Sequence, residues 1–152
     1  MPSCKAAVAP YLLTALRLLL LADFTAPVAA FNNSSMRDLV VHVANTYRHW
    51  LGIAAHGQPH SYYAPAQVPD VAAVQQLFQE IDELVVAYTT LAERDWQTPQ
   101  TVAVPGRAAP LALTPLALFT HVITHEFHHK GQLLRMSRQL GYTPTDTDVI
   151  RF

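Results

Sequence analysis

Apolar side chains recur at helical spacing in three long stretches of the chain. Met36, Leu39, Val40, Val43, Tyr47 and Trp50 share one face of a helix that opens at Ser35. Ser35-Met36-Arg37-Asp38 has the form of a capping box, with Asp38 as a shorter stand-in for the usual glutamate, and Gly52 marks the expected stop. A second stripe, Val71, Val74, Leu77, Phe78, Ile81, Leu84, Val85, Tyr88 and Leu91, predicts a helix from Pro69 or Asp70 to about Trp96. The third helix spans Leu116 to Leu140. Thr114-Pro115 supplies a capping hydroxyl and a proline preset for the first turn, and Gly141 stands where a left-handed residue ends a helix.

Between these stretches the pattern breaks. Ala54 to Pro69 holds His56, Gly57, Pro59, His60 and Pro65 and reads as a loop. Thr101-Val102-Ala103-Val104 and Leu111-Ala112-Leu113 are β-prone pieces flanking Pro105-Gly106, which suits a small hairpin. The tail Tyr142 to Phe152 reads as an extended segment packed over the helices. Ahead of Ser35, the leucine-rich Ala6 to Ala22 predicts one more helix, first in chain order. Four amphipathic helices in one chain imply an all-α four-helix bundle, a single domain over residues 1–152. The connections are of middling length, so the order of the helices in space is left open.

The start also resembles a secretory signal, with Lys5, an apolar run and Val28-Ala29-Ala30 as a cleavage site. Arg17 interrupts that run, which falls short of the roughly 20 residues a bilayer requires. Cleavage there would also remove a whole helix from a small domain. A bundle helix in a cytoplasmic protein is therefore the expectation, with no membrane partner. A single cysteine, Cys4, fits a reducing compartment and excludes a disulfide framework. The formal charge is −1 and the basic residues are scattered, so a nucleic-acid partner is not expected.

Histidine changes the picture. Four of the 8 histidines lie between positions 121 and 129. His125 and His129 fall one turn apart, at the edge of the apolar face, on a line with Leu118, Gln132 and Met136. Two half-buried imidazoles without partners would cost about 1–3 kcal/mol each. A bound cation would satisfy both; hydrogen bonds to neighbouring residues are the alternative. A metal needs a third ligand from another helix. His42, mid-helix on the flank of the Ser35 helix, is the leading candidate, and His49, two turns on, is the runner-up or a solvent-facing residue. His121 and His128 lie nearer the polar side, where they line an approach or support the ligands. His56 and His60 are expected to be solvated.

His125-Glu126-Phe127-His128-His129 also matches the H-E-x-x-H pattern of zinc peptidases, in which the glutamate is the general base. Such peptidases take a third ligand downstream, and this chain has no glutamate after Glu126 and no histidine after His129. Glu126 falls within the apolar face. It either supports the site, orienting a histidine or accepting a proton, or makes a structural contact with Arg17 or another helix. Asp38 is a weaker supporting candidate, since capping already accounts for it.

The segment His121-Val-Ile-Thr-His-Glu-Phe-His-His-Lys-Gly-Gln-Leu-Leu, with Asp38-Leu-Val-Val-His42 and Trp50-Leu51, strongly resembles the DinB/YfiT-like metalloprotein superfamily. The likeness runs from Ser35 into the tail Leu140-Gly-Tyr-Thr-Pro-Thr-Asp-Thr-Asp. Lys130 stands where the family commonly has arginine, and the leucine-rich start departs further from its pattern. The resemblance implies a four-helix bundle with a divalent metal held by His42, His125 and His129. It further implies a homodimer, a stress-related role, and either thiol S-transferase or metal-dependent hydrolase activity on a small electrophilic substrate, with a low-molecular-weight thiol as a candidate co-substrate. Three neutral imidazoles leave a coordination position open, as in catalytic sites, and suit Zn or Ni first, with Fe, Mn or Cu also acceptable. The competing reading is a non-catalytic metal-binding homodimer.

Overall fold

Ser35 starts the helix against which the rest of the chain is assembled. Both halves of its capping box form: the Asp38 amide donates to Ser35 Oγ at 3.1 Å and the Ser35 amide donates to Asp38 Oδ2 at 2.9 Å. Asp38 is thus committed to the helix start. The computed structural model describes residues 16, 20–59, 61–92, 95–144 and 146–147. In chain order these form a short helix α1 (Leu21–Thr25), helix α2 (Met36–Tyr47), helix α3 (Val71–Ala92), strands β1 (Gln100–Val102) and β2 (Leu111–Leu113), and helix α4 (Pro115–Gln139). Of the expected first helix, Leu16 is helical and buried, and Leu20–Ala22 lead into α1; the remainder, with Cys4, Lys5 and Arg17, lies outside the described residues.

Gly52 does not stop the second helix. The chain continues from α2 as a π-helical stretch, Arg48–Ala55, and turns only at Gly57, whose φ of +64° suits glycine. Gly52 serves packing instead, because a Cβ there would lie 2.6 Å from Gln58 Oε1. At the start of α4, Thr114 Oγ1 accepts from the Ala117 amide at 3.0 Å, and Pro115 takes the first helical position. At its end, the Tyr142 amide reaches Ser137 O at 3.1 Å around Gly141, φ +88°, a left-handed cap. Helix α3 ends before Trp96. Asp95 Oδ1 accepts from the amides of Gln97 and Thr98, at 2.9 and 2.8 Å, and its side chain thereby sets a turn.

The core lies where α2, α3 and α4 meet. Val40, Val43, Tyr47 and Leu51 face Val74, Phe78, Ile81 and Val85 of α3 and Leu118, Val122, Leu133 and Met136 of α4, with Phe24 of α1 beneath. Val40, Val43, Tyr47 and the α3 residues belong to the predicted stripes, Leu118 and Met136 of α4 lie on the predicted line, and Leu91 is exposed at the end of α3. β1 and β2 pair antiparallel in the register Gln100↔Leu113, Thr101↔Ala112, Val102↔Leu111, and Gly106 turns the loop between them at φ +81°. The described tail packs back on the helices: Tyr142 donates to Asp23, and Lys130 donates to Thr147 O at 2.9 Å. Among the described residues no helix is long and apolar enough to cross a membrane.

Candidate metal centre

The contact between α2 and α4 brings His42, His125 and His129 together. Their ring centroids are 4.3–4.9 Å apart, and one ligand atom from each lies within 4.8 Å of the others. Nε2 of His125 stands 3.2 Å from Nε2 of His42 and 3.2 Å from Nε2 of His129. An imidazole Nε2 has one in-plane direction, holding either a proton or a lone pair, so His125 can make a good hydrogen bond to only one of these neighbours. The three nitrogens therefore cannot satisfy one another. A cation with bonds of about 2.0–2.1 Å in tetrahedral array would space its ligand atoms by roughly 3.3 Å, close to the separations observed. The donor set fits a transition metal.

Electrostatics point the same way. Burial lowers the pKa of all three rings. His125 falls furthest, to about 4, because the neighbouring histidines add repulsion to its desolvation. All three are thus neutral near pH 7, the protonation state a metal ligand requires. His125 Nδ1 is buried without a hydrogen-bond partner among the described residues, whereas His129 Nδ1 lies 2.7 Å from Gln132 Oε1.

Glu126 points elsewhere. It is 4% exposed, and Tyr47 Oη donates to its Oε2 at 2.5 Å inside the α2–α4 packing. Burial is the main cause lifting its carboxyl pKa to about 7. Tyr47 is raised as well, by burial first and then by the adjacent carboxylate. No hydrogen bond joins Glu126 to a histidine among the described residues, and Glu126 is absent from the cleft beside the trio. The hydrogen bond it makes is a contact with another helix, one of the two readings the sequence left open.

That cleft, about 390 Å³ and open to solvent, is lined by His42, His125, Thr46, Asn45, His121 and a cluster of His49, Trp50 and Tyr62. His49 is part-buried, with Nδ1 2.7 Å from Tyr62 Oη and its ring against Trp50. The runner-up for third ligand, it is not among the three histidines whose ligand atoms converge, nor is it simply solvent-facing. His121 lines the cleft, packed edge-on against Trp50, and His128 packs against His129 on the other side. Tyr62 escaped the sequence reading because it belongs to a loop without periodicity. Hydrogen bonds on both flanks pin it. Asn45 exchanges two with the Tyr63 backbone, at 2.9 and 2.8 Å, and Arg48 donates to Ser61 O and Oγ. His56, expected to be solvated, is half-buried and stacked on Tyr88 at 5.6 Å, while His60 lies outside the described residues.

A helical bundle in which α2 and α4 converge three histidines on one point defines a class of helical proteins with a histidine cluster, compatible with metal binding, at a bundle edge. The family model for the DinB family matches residues 7–152, and the chain belongs to that family. Among solved structures it is similar to a DinB-like protein, YjoA, from Bacillus subtilis, with a TM-score of 0.60 and 17% identity over 96% of this chain and 93% of that one. At that identity the likeness speaks for the fold, and the all-α DinB-like architecture expected from the sequence is borne out. No curated protein matches the chain.

Proposed function

We propose that the chain is a metal-dependent enzyme of thiol S-transferase or hydrolase type. His42, His125 and His129 hold a divalent transition metal, Zn or Ni in first place, and the substrate is a small electrophile. The observation that carries the metal is the pair of 3.2 Å Nε2 contacts, which three neutral imidazoles cannot both use as hydrogen bonds. When bound, such an ion lowers the pKa of water or holds a thiol as its thiolate.

The cleft supports an enzyme over a passive metal binder. A reaction needs groups beside the ion that bind substrate and carry a proton, and His49 with Tyr62 offers such a pair at the cleft wall. With Nδ1 of His49 unprotonated, the 2.7 Å contact lets Tyr62 Oη donate to it, so that the imidazole can take the phenol proton as the phenol takes one from substrate. Trp50 and His121 supply the flat apolar surface against which a small molecule packs.

Reconstitution with Zn or Ni, followed by a panel of low-molecular-weight thiols with alkyl and aryl electrophiles and of activated esters, tests the reading. Turnover that needs both metal and His125 is expected. Tyr62→Phe and His49→Gln should keep the metal and lose turnover by about 10²-fold or more. Metal binding without turnover anywhere on the panel would leave the non-catalytic reading standing. A homodimer and a cytoplasmic location accompany the proposal as expectations from the family.

A further inference from the structure

His129 differs from its two companions in what its far nitrogen touches. His129 Nδ1 lies 2.7 Å from Gln132 Oε1, and Gln132 Nε2 lies 3.2 Å from Nε2 of His128. His128 and Gln132 stand four apart and His129 and Gln132 three apart, about one helical turn, so both histidines reach the same amide. In the structure the amide's acceptor end, Oε1, faces His129 and its donor end, Nε2, faces His128. With the NH₂ donating to His128 Nε2, the carbonyl oxygen faces His129 and can only accept. His129 must then carry its proton on Nδ1, which leaves Nε2 with a bare lone pair aimed at His125 and His42. Turned the other way, the amide would donate to Nδ1 and force the proton onto Nε2, blocking the point where the trio converges.

We propose that Gln132, with Oε1 toward His129, is a positioning residue that locks His129 in the metal-ready tautomer and fixes its ring plane. The proposal rests on the three-histidine reading of the centre and adds a residue to it. Among the described residues His125 has no comparable support, since its buried Nδ1 finds no partner there. The trio therefore has one ring oriented from behind and one held mainly by packing. Gln132 itself is part-buried on α4.

The test uses the full chain, with ¹⁵N-labelled histidine for spectroscopy and zinc for binding. In the metal-free protein, long-range ¹H–¹⁵N correlations should report His129 as the Nδ1–H tautomer. In Gln132→Leu they should report Nε2–H or a mixture. Zinc affinity, read by competition with a chromophoric chelator, should weaken about 10–100-fold in Gln132→Leu, the usual effect of losing such a supporting partner. Gln132→Glu, which still accepts from Nδ1–H, should recover most of it. A Gln132→Leu protein that keeps both the Nδ1–H tautomer and wild-type zinc affinity would overturn the proposal, as would failure of Gln132→Glu to rescue when circular dichroism is unchanged. If wild type binds no zinc, the three-histidine reading fails, and the tautomer measurement still decides the role of Gln132.

Discussion

Helices α2 and α4 meet at two polar contacts that neighbour each other in sequence and differ in kind. On the inner side Tyr47 donates to Glu126, and both groups are buried. On the outer edge His42, His125 and His129 crowd three nitrogens around one point. The inner pair is complete: one donor, one acceptor, no room for a third party. The outer trio is incomplete, because its members compete for the same direction on His125 Nε2. Polar groups that satisfy one another hold a fold together, and polar groups that converge without doing so are available to a ligand. Position in sequence does not separate the two, since Glu126 follows His125 directly.

The contrast breaks if either contact behaves like the other. The largest expected effect is on metal: His125→Ala and His129→Ala should each weaken zinc binding by more than about 10²-fold in a chelator competition, with thermal stability of the metal-free protein little changed. Tyr47→Phe should show the reverse pattern. It strands a buried carboxyl and should cost about 1–3 kcal/mol in urea unfolding, with zinc affinity retained.

A smaller effect separates the two contacts by pH. In metal-free protein the lowered pKa values of His42, His125 and His129 mean that the unfolded chain binds more protons below about 6.5. Their contribution to stability is full above that value and is lost as pH falls toward 4. Glu126 has the opposite sign. Raised from 4.5 to about 7, it keeps a proton in the folded chain that the unfolded chain has released. Its contribution is present below 4.5 and is lost as pH rises through 7. Glu126→Gln removes only the second slope, so its stability should rise with pH between 4.5 and 6.5 more steeply than that of wild type. Parallel curves from urea midpoints at several pH values would contradict the assignment. Smallest of all, Ser35→Ala should cost about 1 kcal/mol through the lost cap, with no effect on metal.

What could be read from the chain beforehand was what depends on local spacing. The i, i+4 pair His125 and His129, the Ser35–Asp38 box and the Thr114-Pro115 and Gly141 ends of α4 all follow from helical geometry within a few residues. His42 followed from its flank position on α2 together with the family resemblance. What escaped depends on contacts across the fold or on departures from α-helical regularity. Gly52 has the look of a stop, yet the chain widens into a π-helix past it. Tyr62 reaches His49 only because Asn45 and Arg48 pin its neighbours. The sequence allows Glu126 a supporting role or a contact with another helix, and its hydrogen-bond partner, Tyr47, lies far away in sequence. His56 in a loop-like stretch is covered by Tyr88 from α3.

His42 is the residue on which the account turns, since an H-E-x-x-H site would not need it and a three-histidine site would. Metal content after reconstitution with excess zinc and removal of unbound ion, measured on wild type and His42→Ala by elemental analysis, is the direct test. The account predicts about one equivalent per chain for wild type and little or none for His42→Ala, with both proteins folded. Wild type without zinc, or His42→Ala retaining a full equivalent at undiminished affinity, would contradict it.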